Sequence, residues 1–238
     1  QFNPTPWRID SSTKIRKTAV KTDCRVPEFM VGNPKGSLIV ISGPSGAGKG
    51  TIVKALLDDY PTVHYSVSAT TRAPREGEEN GVNYWFVSHE EFRRMMEQDE
   101  LLEWAEVYGN YYGTPRRRVM EAINQGHDII LEIDPQGAMQ VKKRFPAGVF
   151  IYIVPPSPRE LSRRIHHRGT ETPEAMQKRL SSVAQELGYV HEYDYLVIND
   201  ELQEATGDVA AIIRAEKWRV KRNVDLIGLV WGVDLTKK

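Results

Sequence analysis

Residues 37–57, SLIVISGPSGAGKGTIVKALL, place a short apolar run, a loop with four glycines and a run of helical apolar spacing end to end. SLIVIS reads as a buried strand, and Ile52, Ala55 and Leu56 share one face of the helix that follows the loop. The loop, Gly43, Pro44, Ser45, Gly46, Ala47, Gly48, Lys49, Gly50 and Thr51, follows the phosphate-loop pattern G-x-x-x-x-G-K-[ST] up to its last place. There Gly50 stands, and the hydroxyl arrives one residue later at Thr51. Glycines let successive backbone N–H groups approach an anion, the helix start adds partial positive charge, and Lys49 reaches terminal phosphates. A glycine-rich turn that merely closes a strand–helix unit gives the lysine no task. Without a hydroxyl at Gly50, a magnesium ion (Mg2+) is expected to be held through water and Thr51.

From residue 37 onward, apolar β-rich runs (SLIVISG, HYSVSATT, HDIILEID, VFIYIVPP, YDYLVIND) alternate with longer polar segments of helical spacing. That alternation predicts an α/β fold, a mostly parallel sheet of five strands with helices on both faces. Leu161 and Ile165 fall together on one predicted helix, and Thr172 with Pro173 opens another. Residues 1–35 lack periodicity and carry Pro4, Pro6, Pro27 and Pro34. They read as an extension, an expression-derived or dispensable leader rather than a targeting signal, since Asp10, Asp23 and Glu28 interrupt any basic amphipathic face. Every motif lies beyond residue 42, so a chain starting at Met30 is expected to keep full specific activity. Loss of activity in a folded truncation would show that the extension contributes to the site.

Composition excludes more than it selects. Lys plus Arg and Asp plus Glu number 32 each, so no net field draws the chain to nucleic acid or an anionic membrane. The single cysteine, Cys24, rules out an internal disulfide and is compatible with a reducing, cytoplasmic setting. The longest apolar runs fall well short of the ~20 residues of a membrane helix. Oligomeric state is not written in the sequence.

A phosphate loop identifies a nucleoside triphosphate donor and leaves the acceptor open. SVSATTRAPREGEENGVNYWF (66–86) carries Arg72, Arg75, Glu78 and Tyr84, and LLEWAEVYGNYYGT (101–114) carries Glu103, Tyr112 and Thr114. Guanidinium forks and tyrosine hydroxyls suit a second, small phosphate group. Arg75 alone would read as a solvated surface residue; the set together does not.

With these stretches, and with LEIDPQGA, RGTET followed by KRL, and VIND in the same order, the chain resembles the guanylate kinase family over about residues 37–220. The resemblance implies a three-layer phosphate-loop fold with a small mixed α+β GMP-binding lobe at about 70–120 and a helical lid at about 159–180. It implies transfer of the ATP γ-phosphoryl group to GMP with magnesium, giving ADP and GDP. Ser68, Glu103, Thr114 and Asp134 would read guanine, with Glu132 beside them; Arg72, Arg75, Tyr84 and Tyr112 would hold the GMP phosphate, and Glu78 would orient the arginines. Arg164, Arg168 and Arg179 would bridge both substrates from the lid, and Asn199 would lie near the adenine. Gly50 departs from the serine that many relatives carry, Glu132 stands where relatives often have Asp, and Thr114 keeps a hydroxyl that is often serine. Residues 221–238 form a tail outside the resemblance. Two other readings stay open: a non-catalytic module that binds phosphorylated peptides, which the intact Lys49 opposes, and a kinase for AMP or a sugar phosphate, which Glu103 and Asp134 oppose.

Overall fold

A computed structural model describes residues 36–167 and 183–232. The central sheet is five-stranded and parallel throughout. It contains β1 (Leu38–Ser42), β2 (Val63–Tyr65), β7 (Asp128–Glu132), β8 (Val149–Val154) and β9 (Tyr195–Ile198), in the order β2-β7-β1-β8-β9. Parallel strands need covered crossovers, and β1 shows the result: Leu38, Ile39, Val40 and Ile41 are all fully buried, two on each face. One face packs Ile39, Ile41 and Ile151 against Ile52 and Leu56 of α1 (Lys49–Asp59) and Val209 and Ile213 of α6 (Leu202–Lys217). The other packs Leu38, Val40 and Leu131 against Val119 of α3 (Arg116–Asn124) and Ala138 and Val141 of α4 (Pro135–Arg144).

A second, four-stranded sheet has the order β4-β3-β6-β5, formed by β3 (Ala69–Thr70), β4 (Trp85–Phe86), β5 (Leu101–Val107) and β6 (Asn110–Pro115). Helix α2 (His89–Glu97), N-capped by Ser88, seals it with Phe92 and Met95. The run HYSVSATT does not form one strand. Its first part pairs in the large sheet as β2 and its last part in the small sheet as β3, so the break between them is where the chain leaves one layer for the other.

The β5–β6 hairpin turns at Tyr108 and Gly109, both at positive φ, and carries an irregularity that the site uses. Leu101 pairs with Pro115 and Trp104 with Gly113, so three steps on β5 oppose two on β6. This one-residue bulge lets Leu102 and Glu103 both be buried, where strict alternation would have turned one of them to solvent. Gly113 is required opposite it, because a Cβ there would lie 2.8 Å from the Glu103 carbonyl oxygen.

Helix α5 (Pro158–His167) and helix α7 (Val220–Trp231) complete the described elements together with a short helical stretch over 183–187 and a 3-10 turn at Val190–Glu192. Much of the expected lid, most of the helix predicted to open at Thr172 and Pro173, and the expected extension over 1–35 lie outside the described residues. Among the described residues no helix is long and apolar enough to cross a membrane.

Candidate active site

The carboxyl ends of β1, β7 and β8 open the crevice in which an α/β sheet of this kind receives its ligands. Residues 43–51 bridge β1 and α1 there, and close contacts dictate their composition. Gly43 has φ 142° and a Cβ on it would fall 2.0 Å from the Ile153 carbonyl oxygen; Gly48 has φ 87° and a Cβ would fall 2.3 Å from Asn199 Nδ2. Gly48 is the N-cap of α1, so the first N–H groups of that helix face the loop's concavity. Lys49 Nζ donates to the carbonyl oxygens of Gly43 (2.7 Å) and Pro44 (3.1 Å), which folds the ammonium back over the loop.

Asn199 is buried at the end of β9 and donates from Nδ2 to Ala47 O at 2.8 Å. The structure thus places its amide against the loop backbone. Arg164, on α5, donates from Nε to Glu160 Oε1 at 2.6 Å, and its guanidinium reaches to 3.7 Å from where a Gly48 Cβ would be. Hydrogen bonds from Arg163 and Arg164 hold the Glu160 carboxyl down at about 2, so Glu160 is a fixed anion that orients Arg164. Nothing in the sequence singled Glu160 out beyond its helical spacing to Arg164. Arg168 and Arg179 lie outside the described residues.

Glu132 ends β7, paired with Ile41 of β1, and its carboxylate stands over the first turn of α1. A Cβ on Gly50 would lie 3.3 Å and 3.4 Å from its two oxygens. Glu132 therefore stands at the phosphate loop, two residues before Asp134.

Two residues further on, Asp134 caps α4, accepting from Gly137 N–H at 2.8 Å through Oδ1. The same glycine lies beside Glu103: a Cβ on Gly137 would come 3.1 Å from Glu103 Oε2 and 3.6 Å from Asp134 Oδ1. Thr114, buried on β6, donates to Glu103 Oε1 at 2.6 Å. The bulge, the helix cap and a side-chain-free glycine thereby bring two carboxylates and a hydroxyl into one cluster. Burial, reinforced by the charge of Asp134 and only partly opposed by the Thr114 hydrogen bond, pushes the Glu103 carboxyl up to about 7. Ser68 stands one residue before β3, half-buried, with its carbonyl oxygen bonded to Trp85 N–H.

That raised value has a testable consequence. In the unfolded chain Glu103 ionises near 4.5, in the folded one near 7. The native state therefore holds the extra proton between those values, and stability falls as pH rises through that window. Urea unfolding of wild type and Glu103→Gln across pH 4.5 to 7.5 is expected to show a wild-type decline that the variant lacks, by roughly 1–3 kcal/mol. Parallel profiles would contradict the burial of an ionisable Glu103.

On the small sheet's open side Arg72 makes a two-pronged pair with Glu78, NH1 to Oε2 and NH2 to Oε1, both at 2.9 Å. Its guanidinium lies 5.4 Å from the Tyr84 ring and 5.8 Å from the Phe86 ring, and Tyr84 meets Tyr112 edge-on at 6.0 Å. The Glu78 hydrogen bonds hold the Arg72 guanidinium above its ordinary value and, with the Arg75 backbone, the Glu78 carboxyl below its own. Glu78 touches Arg75 through the backbone N–H at 2.8 Å, so it fixes the side chain of Arg72 and only the main chain of Arg75, which is exposed.

The comparisons with known proteins point to one family. The sequence model described as "Guanylate kinase" matches residues 35–216. The chain is 63% identical over 187 residues to a guanylate kinase of Desulfitobacterium hafniense (strain Y51), covering 79% of this chain and 94% of that one. It is 57% identical over 192 residues to that of Caldanaerobacter subterraneus subsp. tengcongensis, covering 81% and 93%. Among solved structures, a guanylate kinase from Anaplasma phagocytophilum superposes with a TM-score of 0.66 at 33% identity, covering 84% of this chain and 98% of that one. With its phosphate loop, its five-stranded parallel sheet and its second, four-stranded sheet, the chain belongs to the guanylate kinase family.

Proposed function

We propose that the protein transfers the γ-phosphoryl group of ATP to GMP, giving ADP and GDP, with the donor on the loop at 43–51 and the acceptor in the Glu103–Asp134 pocket. One observation carries the reading. The short span from Glu132 to Asp134 joins the two half-sites, Glu132 against Gly50 of the loop and Asp134 beside Glu103 in the pocket. A donor phosphate and an acceptor base are then held by one rigid strand end.

The reaction needs no catalytic base, because the nucleophile is a GMP phosphate oxygen already anionic near neutral pH. The protein's work is to align two anions and offset their repulsion. Loop N–H groups and Lys49 hold the donor's terminal phosphates, and Lys49 exchanges its two carbonyl partners for phosphate oxygens. Arg72, held in plane by Glu78, grips the GMP phosphate with Arg75, Tyr84 and Tyr112. Arg164, with Arg168 and Arg179, neutralises charge between the substrates. Glu103 and Asp134 accept from guanine N1-H and N2-H₂, Thr114 donates to Glu103 and holds it in place for the base, and Ser68 donates to O6.

The residues at the loop fit magnesium. A carboxylate stands over the first turn of α1 in the place of the missing Gly50 hydroxyl, and Thr51 follows, an all-oxygen set suited to a hard cation. Glu132 and Thr51 would hold the ion, directly or through water. When bound, it neutralises phosphate charge. A cytoplasmic setting, where both nucleotides occur, accords with this chemistry.

The experiment is a coupled ADP-release assay with each substrate omitted in turn. ADP is expected only when ATP and GMP are both present. Equal ADP release without GMP would make the protein a hydrolase and overturn the reading; no release with any acceptor would favour a binding module.

A further inference from the structure

The phosphate loop is already engaged by an anion of the protein itself. Glu186, in the helical stretch over 183–187, accepts a hydrogen bond at Oε2 from the backbone N–H of Ser45, 3.2 Å away and 141 residues distant in sequence. The contact is not left to a loose side chain on a loose segment. Tyr152, fully buried on β8, donates its hydroxyl to the Glu186 carbonyl oxygen at 2.8 Å, which pins the backbone of Glu186 over the loop. Burial pushes that phenol up to about 12, so it remains a neutral donor at any physiological pH. Lys49 is folded onto the carbonyls of Gly43 and Pro44, the two residues before Ser45.

We propose that Glu186 is a built-in competitor for the donor nucleotide: its carboxylate, bonded to the loop at Ser45 N–H, must withdraw before the terminal phosphates of ATP can seat. A carboxylate is an acceptor-only anion, and a loop of convergent N–H groups at a helix start favours it for the same reasons that it favours a phosphate. Both anions cannot share the loop, because each loses its solvation there and they repel. The apparent affinity for ATP is then the intrinsic affinity scaled by the fraction of molecules from which Glu186 has withdrawn. The same competition favours departure of ADP after transfer, since the carboxylate reclaims the donor it lost. Glu186 acts through the loop and is a positioning residue; the guanine pocket is formed by other elements and is not affected.

The inference rests on residues 43–51 being the donor site, and calorimetry can separate the two claims. The β,γ-imido analogue of ATP, with magnesium, and GMP are titrated separately into wild type, Glu186→Gln and Glu186→Ala. Glu186→Gln keeps the shape and an accepting oxygen while removing the charge. The analogue is expected to bind both variants about fivefold or more tightly than wild type, with GMP affinity changed by less than about twofold. Analogue affinity in Glu186→Gln that is unchanged or weaker, or a matching gain in GMP affinity, overturns the proposal whatever the alanine variant does. Failure of the wild type to bind the analogue at all would instead strike at the donor-site assignment.

Discussion

Lys49→Ala is expected to lower kcat by about three orders of magnitude or more, a loss of ~4 kcal/mol of transition-state stabilisation, while the melting temperature stays within a few degrees. The size follows from the task. As the γ-phosphoryl group moves, negative charge redistributes over the bridging and equatorial oxygens, and a positioned ammonium in a crevice of low dielectric is worth far more than in water. The small effect on folding follows from its position: Lys49 Nζ bonds to the carbonyls of Gly43 and Pro44 in the loop, and Lys49 is not part of the apolar core around Ile52 and Leu56. Turnover near wild type in a folded Lys49→Ala protein would remove Lys49 from the reaction.

The acceptor pocket should carry the second large effect. Guanine offers N1-H and a 2-amino group as donors, and the pocket offers Glu103 and Asp134 as acceptors, each with one oxygen already used, by Thr114 and by Gly137 N–H. The proposed mode of binding gives the remaining oxygens to the base. Glu103→Gln replaces an acceptor by an amide that can turn a donor toward N1-H, so kcat/KM for GMP is expected to fall at least about tenfold, ~1.4 kcal/mol. Asp134→Asn has a different signature. IMP keeps N1-H and O6 but lacks the 2-amino group, so its deficit relative to GMP should shrink when Asp134, the carboxylate proposed to face that group, is removed. An unchanged ratio of IMP to GMP would assign the 2-amino contact elsewhere.

The sequence made the donor half legible because its physics is local. A strand, four glycines at fixed offsets, a lysine and a helix are contiguous in the chain, and the positive φ of Gly43, Gly46 and Gly48 is what those offsets announce. The parallel sheet was legible for a similar reason, since runs such as LIVIS and VFIYIV are apolar on both faces. The acceptor half was readable only through resemblance. Its arrangement depends on a bulge at Leu102 and Glu103 that breaks the period-two pattern, and a buried carboxylate in a strand is a local inconsistency of the kind that marks functional sites.

Long-range contacts account for the rest. Nothing near Glu186 in sequence reveals that it faces Ser45, and nothing near Asn199 reveals that its amide braces Ala47. Glu132 and Asp134 stand two residues apart in LEIDPQGA. Strand geometry separates them, because Glu132 ends β7 against the loop while Asp134, past the strand, turns to cap α4. HYSVSATT looked continuous because both of its halves are β-prone, and only the tertiary fold decides that they serve different sheets.

The central claim is that a guanine-reading pocket faces a phosphate loop, and the most direct test is the initial rate of ADP release with GMP and with AMP under saturating ATP and magnesium. Adenine presents an unprotonated N1 and no 2-amino group, so a carboxylate would face a lone pair and buried polar groups would go unpaired. A site of this kind rejects the mismatched base by a factor of roughly 10⁴ in kcat/KM. The account predicts a GMP preference of that order; comparable rates with AMP and GMP would contradict it.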